Sequence, residues 1–205
     1  MCIRDSCYVN AFQTQPDGDG SRPDLTSNWP SEVVITELED PEWGGEFLID
    51  ISTSELRSTA AAHVQQMIET CASKGYNAVE FDNLDSFTRY DDSGFTQADA
   101  VEYATLLVTN THALGLAAAQ KNTAELLGFK DAIGFDFAVV EQCGEFDECE
   151  QFSTAYNEAM VDIEYQDSSF TNACSAIGGT SAVVRRDVGV TAPGSSTYVI
   201  DQCNP

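Results

Sequence analysis

Short apolar runs alternate along this chain with longer stretches in which apolar residues recur at helical spacing. This alternation is typical of βα units that build a parallel sheet. The apolar runs predict strands at residues 7–11, 46–51, 78–81, 116–119, 135–141, 160–165 and 181–185. Helical spacing predicts helices at residues 53–73 and 96–114, and shorter ones at 122–127 and 152–158. We expect Ser54 to cap the first long helix and Thr96 the second.

The order of these elements predicts an α/β fold, a TIM (β/α)₈ barrel that lacks its first βα unit. Such barrels need about 200 to 250 residues. Residues 1–6 do not resemble a signal peptide, because no apolar segment follows Arg4. We interpret residues 1–6 as a translated sequencing artefact and residues 7–205 as a single domain. An open doubly wound sheet is the alternative, although no Gly-rich phosphate-binding turn follows a strand.

Charge and composition narrow the classes of function. The 205 residues include 34 acidic and 9 basic side chains, so the formal net charge is −25. This argues against nucleic-acid binding, which depends on Lys and Arg side chains that neutralise phosphates. The charge could attract cationic substrates, or it could keep the protein soluble in a salty environment. No apolar run approaches the ~18 residues that a membrane span needs, and we expect a monomer.

The cysteine pattern favours an oxidising, extracellular compartment. Cys143 and Cys149 bracket a short loop that a disulfide could close, and Cys174 and Cys203 could pair with each other. Free buried thiols in a cytosolic protein are the alternative. Neither the cysteine spacing nor the presence of only 2 histidines resembles a zinc site. We therefore expect no metal and no cofactor.

Ionisable and hydrogen-bonding side chains follow the apolar part of five predicted strands. In a barrel of parallel strands, functional residues collect at the C-terminal strand ends. The side chains at these ends are Asp50, Glu80, Asp82, Asn83, Lys121, Asn122, Glu141, Gln142 and Tyr165. Their number predicts a polar cleft at that end of the barrel. In a sugar cleft Tyr165 would offer a hydroxyl and a stacking face, although it could also be an ordinary rim aromatic.

Two of these carboxylates predict hydrolysis of a glycosidic bond. Alternation along the strand at 78–81 places Glu80 and Asp82 on the barrel axis and the neighbouring apolar residues towards the helices. Glu141 closes the apolar run at 135–140, where its protonated form is favoured, as a general acid requires. Two carboxylates that face each other across a polar cleft are the minimal apparatus for this reaction.

Interpretations other than catalysis remain open for several acidic residues. Glu80 could be a structural acid that pairs with Lys121. Asp85, Asp91 and Asp92 could form a solvated acidic loop or a calcium site. Ser or Cys nucleophilic catalysis has no support, because both histidines fall within predicted helices.

Several sequence strings occur here in one order and resemble those of glycoside hydrolase family 114, the endo-α-1,4-polygalactosaminidase-like barrels. They are Cys7-Tyr-Val-Asn-Ala, Glu80-Phe-Asp-Asn-Leu-Asp85, the stretch from Gly115-Leu to Lys121-Asn122, Phe135-Asp-Phe-Ala-Val-Val-Glu-Gln-Cys143, Glu148-Cys149 and Ile163-Glu-Tyr165. The resemblance implies a TIM-like barrel that hydrolyses α-1,4-linked galactosamine polymers, usually outside the cell. Such a polymer is cationic, which gives the negative charge a physical rationale.

The resemblance also implies roles for single residues. The catalytic Asp of the family falls on Asp82, as nucleophile, and its catalytic Glu falls on Glu141, as acid/base of a retaining endo-hydrolase. The residues expected to line the sugar-binding cleft are Asp50, Glu80, Asn83, Asp85, Lys121, Asn122, Gln142 and Tyr165.

The chain departs from the family pattern near the expected cleft. Phe81 stands where members usually have Pro, Ser52 where they tend to have Arg, and Gln120 follows a run of Ala. Each departure could alter the shape of the cleft. A glycosidase for another aminosugar or a neutral glycan, or a non-catalytic carbohydrate-binding barrel, is therefore an alternative.

Overall fold

The computed structural model describes residues 6–90 and 92–203. Within these residues, parallel strands alternate with helices, as the hydrophobic pattern predicts. The chain divides into two compact units, of which the first ends at Asp136 and the second begins at Phe137. The α/β class is present in each of them.

The first unit contains parallel strands, a β-hairpin and the longest helices. Its strands are β1 (Ser6–Asn10), β2 (Val34–Glu39), β3 (Phe47–Ile49), β4 (Ala78–Asp82) and β5 (Ala117–Lys121). Its helices are α1 (Ser54–Ser73), α2 (Ser86–Arg89), α3 (Gln97–Ala113) and α4 (Lys130–Ile133), with 3₁₀ turns at Thr26–Asn28, Ser31–Val33 and Ala124–Phe129. Strand β4 lies between β1 and β5 and is parallel to both, with Asn10 opposite Asp82 and Ala119 opposite Glu80.

One predicted parallel strand is wrong. The run at 46–51 forms the short β3, which pairs antiparallel with β2, and Leu48 forms an antiparallel bridge with Gln13. Strand β2 was not predicted, and its partner in the hairpin could not be recognised without it. The segment therefore builds a hairpin instead of a βα unit.

The caps of the two long helices follow the ordinary chemistry of helix N-termini. Thr53, not the expected Ser54, caps α1, and its hydroxyl accepts a hydrogen bond from Leu56 N at 3.2 Å. Thr96 caps α3 as predicted and forms a capping box with Asp99. The two helices pack against each other, and their apolar faces are buried.

The second unit is a smaller sheet with helices. Its strands are β6 (Phe137–Glu141), β7 (Met160–Glu164), β8 (Ala182–Arg186) and β9 (Ile200–Gln202), and its helices are α5 (Cys143–Phe146), α6 (Cys149–Tyr156) and α7 (Asp167–Ile177). Strands β6, β7 and β8 are parallel, and β9 is antiparallel to β8. Helix α7 and strand β9 were not predicted, because α7 opens with a polar Asp167-Ser-Ser run and β9 is exposed along its length.

The N-terminal boundary differs from the expected one. Ser6 is the first residue of β1, where it pairs with Ala78 and its hydroxyl donates to Glu80 Oε2 at 2.8 Å. Ser6 therefore belongs to the strand, although the sequence analysis places it in the segment interpreted as an artefact. The remaining residues of that segment, with Cys2 among them, lie outside the described residues.

The described residues contain three disulfides. Cys143 bonds Cys149, Cys174 bonds Cys203, and Cys7 bonds Cys71, a pair that the spacing did not indicate. Such bonds are typical of proteins that fold in an oxidising compartment. In the part of the chain that the structure describes, no helix has the length and apolar character needed to cross a membrane.

Candidate active site

Asp82 lies at the C-terminal end of β4 and receives polar contacts from both neighbouring strands. The Tyr8 hydroxyl on β1 donates to Asp82 Oδ2 at 2.8 Å, and Lys121 Nζ on β5 lies 3.4 Å from Asp82 Oδ1. The Asn83 backbone N–H also donates to Oδ1, at 2.9 Å. Because β1, β4 and β5 run in parallel, their C-terminal ends meet at one edge of the sheet. The first unit thus holds one carboxylate between a hydroxyl and an ammonium group.

Tyr8 contacts the candidate carboxylate Asp82, and the sequence did not single it out as an individual side chain. Partial burial and the negative charges of Asp82, Glu46 and Glu80 raise the pKa of Tyr8 far above its ordinary value. The hydroxyl therefore keeps its proton and acts as a donor. About half of the residue is exposed, at 51%, so its ring is available for contact with a ligand. The signal in the sequence was a tyrosine within the first predicted strand.

Glu80 and Asp82 share one face of β4, as alternation predicts. Val79 and Phe81 are fully buried, whereas the two acids are partly exposed. Glu80 accepts the hydrogen bond from Ser6. The ion pair of Lys121 that the structure describes is with Asp82, and the residue is 5% exposed. A buried ammonium group needs an opposite charge, and Asp82 supplies one.

Asn83 and Asp85 are tied together by Arg89 in the loop after β4. Asn83 adopts a left-handed conformation with φ of 61°, and its Oδ1 accepts a hydrogen bond from Arg89 Nη2 at 2.6 Å. Arg89 Nε lies 3.2 Å from Asp85 Oδ1. Burial raises the pKa of Asp85, which the charge of Arg89 opposes. Asp85 is therefore a paired, half-buried acid and not a solvated loop residue, while Asp91 lies outside the described residues.

Two buried acids near Asp82 were not singled out in the sequence. Glu46 is 8% exposed and accepts hydrogen bonds from Asn10 Nδ2 at 3.0 Å and Gln15 Nε2 at 2.8 Å. Burial raises the pKa of Glu46, and the charges of Asp40 and Asp82 act in the same direction. Only the tertiary structure brings this acid towards β4, since it lies in a Gly-rich turn far from that strand in sequence.

Asp40 is the second of these acids and is held by donors on all sides. It is 4% exposed, and its Oδ2 accepts hydrogen bonds from Gln13 Nε2 at 3.0 Å and the Tyr90 hydroxyl at 2.9 Å. Although burial opposes it, hydrogen bonds from the Glu42 and Trp43 backbone and from Gln13 lower the pKa of Asp40. Asp40 is thus an anion that orders the loops around the Asp82 edge.

The predicted residues after β5 form a tightly held turn. Asn122 and Thr123 both adopt left-handed conformations, with φ of 47° and 63°. The fully buried Gln120 stabilises them, because its Nε2 donates to the carbonyl oxygens of Asn122 at 2.8 Å and Thr123 at 2.9 Å. Non-glycine residues at positive φ are uncommon and concentrate at functional sites. The departure from the family pattern at Gln120 therefore has a structural use in shaping the turn next to Lys121.

Asp50 lies at the end of the hairpin strand β3 instead of at the end of a parallel strand. Its Oδ1 accepts a hydrogen bond from Ser52 N at 2.9 Å and shapes the turn that leads into α1. The residue is half-buried. The geometry gives Asp50 a structural contact, while its role in a cleft stays a prediction.

In the second unit, Glu141 ends β6 and pairs with a tyrosine that follows β7. The register places Ile163 opposite Glu141, and the Tyr165 hydroxyl donates to Glu141 Oε1. Gln142 then turns the chain with a left-handed φ of 62°, and its Nε2 donates to Glu145 Oε2 at 2.6 Å. Each of the two carboxylates singled out in the sequence thus accepts a hydrogen bond from a tyrosine hydroxyl within its own unit.

Two further carboxylates of the second unit were missed by sequence reasoning. Asp162 and Glu164 of β7 are fully buried beside the Cys143–Cys149 disulfide. The strand alternates acidic and apolar residues, which is ordinarily the signal of a solvated face. Helices α5, α6 and α7 all contact this strand, and the tertiary structure buries the pair.

A known protein family and several solved structures resemble this chain over most of its length. The model of glycoside-hydrolase family GH114 matches residues 3–204. The crystal structure of Ega3 from Aspergillus fumigatus in complex with galactosamine is similar, with a TM-score of 0.74 and 20% identity, over 96% of this chain and 77% of that one. The glycoside hydrolase domain of PelA from Pseudomonas aeruginosa is similar with a TM-score of 0.60 and 14% identity, over 93% and 81% of the two chains.

At these identities the solved structures show a shared fold. The likeness confirms the α/β barrel class that the alternation of strands and helices predicts. No curated protein sequence matches the chain.

Proposed function

The chain belongs to glycoside-hydrolase family GH114 and is a glycoside hydrolase, and we propose that it cleaves an α-1,4-linked galactosamine polymer with Asp82 and Glu141 as its catalytic carboxylates. The observation that carries the proposal is the position of the two acids. Each ends a parallel strand, the place where barrel enzymes hold their catalytic groups. Each is also oriented by a tyrosine hydroxyl.

Asp82 is proposed as the nucleophile. Its carboxylate is held between the Tyr8 hydroxyl and Lys121 Nζ, which restricts its rotation. An oriented carboxylate can attack the anomeric carbon as the bond to the leaving oxygen breaks, which forms a glycosyl–enzyme ester. Orientation of this kind supplies much of the rate of a two-group reaction.

Glu141 is proposed as the acid/base. In the first step its proton passes to the leaving oxygen, and in the second its carboxylate takes a proton from the water that hydrolyses the ester. Tyr165 donates a hydrogen bond to Glu141 and holds the carboxyl in one orientation through both steps. The two steps retain the configuration at the anomeric carbon.

The remaining polar residues of the first unit support a cationic substrate. Acidic side chains surround the end of β4, and Glu46 and Asp85 each add negative charge near Asp82. A galactosamine unit carries an ammonium group at neutral pH, which such a field attracts. In this proposal Glu80, Asn83, Asp85, Lys121, Asn122, Gln142 and Tyr165 contact the sugar, and Asp50 shapes a turn at the cleft. The galactosamine in the Ega3 crystal structure supports the choice of sugar.

The proposed substrate and the disulfides both favour an enzyme that acts outside the cell. We infer that the galactosamine polymer is met outside the cell, where disulfides persist. The described disulfides, Cys7–Cys71, Cys143–Cys149 and Cys174–Cys203, support a secreted enzyme.

The proposal is tested by product analysis. Purified α-1,4-galactosamine oligomers, their N-acetylated form and a neutral α-linked glycan are incubated with the protein, and products are followed by mass spectrometry. We expect short galactosamine oligomers from the parent. Asp82→Asn and Glu141→Gln are expected to lower the rate by about 10³-fold, whereas the exposed controls Asp19→Asn and Glu150→Gln keep it.

Two results would contradict the proposal. If the protein cleaves only the neutral glycan, the proposed substrate class is wrong. Binding of the polymer without product from the folded parent would favour a carbohydrate-binding barrel.

A further inference from the structure

Two acids of β7 are buried, and neither forms an ion pair with a basic side chain among the residues that the structure describes. Asp162 and Glu164 are each 0% exposed. They stand two residues apart on one strand, so they lie on the same face. A buried carboxylate is strongly unfavourable unless it is paired or serves a purpose, and the mechanism above uses neither group.

Each of these acids binds the turn that follows Glu141. The Cys143 backbone N–H donates to Asp162 Oδ1 at 3.3 Å, and the Gly144 backbone N–H donates to Glu164 Oε1 at 2.7 Å. The other oxygens, Asp162 Oδ2 and Glu164 Oε2, are buried and have no donor among the described residues. One oxygen of each acid therefore holds the turn, and the other is buried without a hydrogen-bond donor among the described residues.

Among the described residues, no basic side chain pairs with Asp162 or Glu164. A bound proton is therefore what can reduce the negative charge of the pair. Burial raises the pKa of Asp162 to about 8, and the negative charges of Glu164 and Glu141 act in the same direction. Arg185 of β8 stands opposite Glu164 in the register, but its guanidinium pairs with Asp167 and Asp201. A double negative charge on two adjacent buried carboxyls is strongly disfavoured, which points to one proton held by the pair.

A metal ion does not fit this cluster as well as a proton. A carboxylate oxygen of each acid and the sulfur atoms of Cys143 and Cys149 lie within 4.8 Å of one another. The sulfur atoms are joined in a disulfide, so neither is a thiolate, the form that binds metals. Two carboxylates would be the remaining ligands.

The turn above the pair has no space for a side chain at position 144. A Cβ built on Gly144 would lie 2.2 Å from the Ser169 carbonyl oxygen of α7 and 3.0 Å from Glu164 Oε1. Only glycine fits between the helix and the buried acid. The turn is therefore clamped from α7 on one side and from β7 on the other, directly after Glu141 and Gln142.

We propose that Asp162 and Glu164 form a proton-sharing clamp that fixes the turn at Cys143 and Gly144 and thereby positions Glu141. The two acids are positioning residues. They act through the backbone, while Tyr165 orients the carboxyl of Glu141 from the end of the same strand. The effect on catalysis rests on the proposed role of Glu141, whereas the clamp itself is a property of the second unit.

Two measurements that do not depend on enzyme activity test the shared proton and the clamp. Infrared difference spectra at pH 7 should show a protonated carboxyl band in the parent that Asp162→Asn removes. Hydrogen exchange at Gly144 N should be slow in the parent and in Glu164→Gln, whose amide can accept from Gly144 and donate to Asp162. It should be fast in Glu164→Leu. Identical spectra, or equal exchange in all variants, would overturn the clamp.

The positioning role is tested by kinetics on the galactosamine polymer. Glu164→Leu, checked for folding by circular dichroism, is expected to lower kcat by about 10²-fold with little change in KM, the cost of a misplaced catalytic group. Glu164→Gln should stay within about 2-fold of the parent, and the exposed Glu150→Gln should have no effect. A folded Glu164→Leu variant with the parent's kcat would overturn the role. If the parent itself has no activity on the polymer, the proposed function is wrong. The infrared spectra and the hydrogen exchange then still test the clamp.

Discussion

The Tyr8 hydroxyl lies 2.8 Å from Asp82 Oδ2, although the two residues are 74 positions apart in the sequence. The parallel register of β1 and β4 sets this distance, because Asn10 stands opposite Asp82 and Tyr8 lies two residues earlier on the same strand. A side chain of the first strand thus orients the carboxylate that we propose as nucleophile.

Tyr8→Phe removes this hydrogen bond and leaves the ring in place. A hydrogen bond to a charged group contributes about 1.5 to 3 kcal/mol, so we expect kcat to fall by about ten-fold or more with a small change in KM. Because the pKa of Tyr8 is raised far above its ordinary value, the pH profile of the parent should show no tyrosine ionisation below about pH 10. Tyr198→Phe is the matched control, and equal kcat values in both variants would contradict the prediction.

Lys121→Met removes the ammonium group beside Asp82. We expect a fall in kcat of about 10-fold to 100-fold, because the carboxylate loses a charged partner in a buried setting. The effects of Lys121→Met and Asp82→Asn should not add, since the two groups are in contact. A double-mutant cycle measures this coupling, with the exposed Lys74→Met as control. Additive effects would show that Lys121 acts independently of Asp82.

Glu46→Gln tests the buried acid of the hairpin. Burial raises the pKa of Glu46 above its ordinary 4.5, so the native state holds this proton more tightly than the unfolded state. The resulting stability is fully present below about pH 4.5 and is lost as the pH rises through the folded pKa. In urea titrations from pH 4 to 7 the variant should lose less stability with rising pH than the parent. The exposed Glu32→Gln should follow the parent, and parallel curves for all three proteins would refute the prediction.

The disulfides are expected to contribute to stability in the order of their loop lengths. Cys7 and Cys71 are separated by 64 residues, Cys174 and Cys203 by 29, and Cys143 and Cys149 by 6. Chain entropy predicts losses of about 4, about 3.5 and about 2 kcal/mol when each pair is replaced by Ser. Denaturant unfolding of the three double variants measures the order. A larger loss from the shortest loop would indicate that it acts through the native turn beside Asp162 and Glu164.

The local pattern of the sequence determined much of this architecture. Apolar runs and helical spacing located strands β1, β4, β5, β6, β7 and β8 and the long helices α1 and α3 to within a few residues, because side-chain periodicity is a property of neighbouring residues. The strand ends also marked Asp82 and Glu141 as candidates. Their catalytic roles stay a prediction that the product analysis above tests.

The tertiary structure alone decided how distant segments meet. The antiparallel hairpin of β3, the Cys7–Cys71 disulfide and the contact of Tyr8 with Asp82 depend on pairing between segments that no local pattern connects. The burial of Asp162 and Glu164 is of the same kind, since helices from other parts of the chain cover an alternating strand that by itself indicates a solvated face. Periodicity shows which side of a strand is apolar, but the register and packing of its partners decide which polar groups lie together and lose their water.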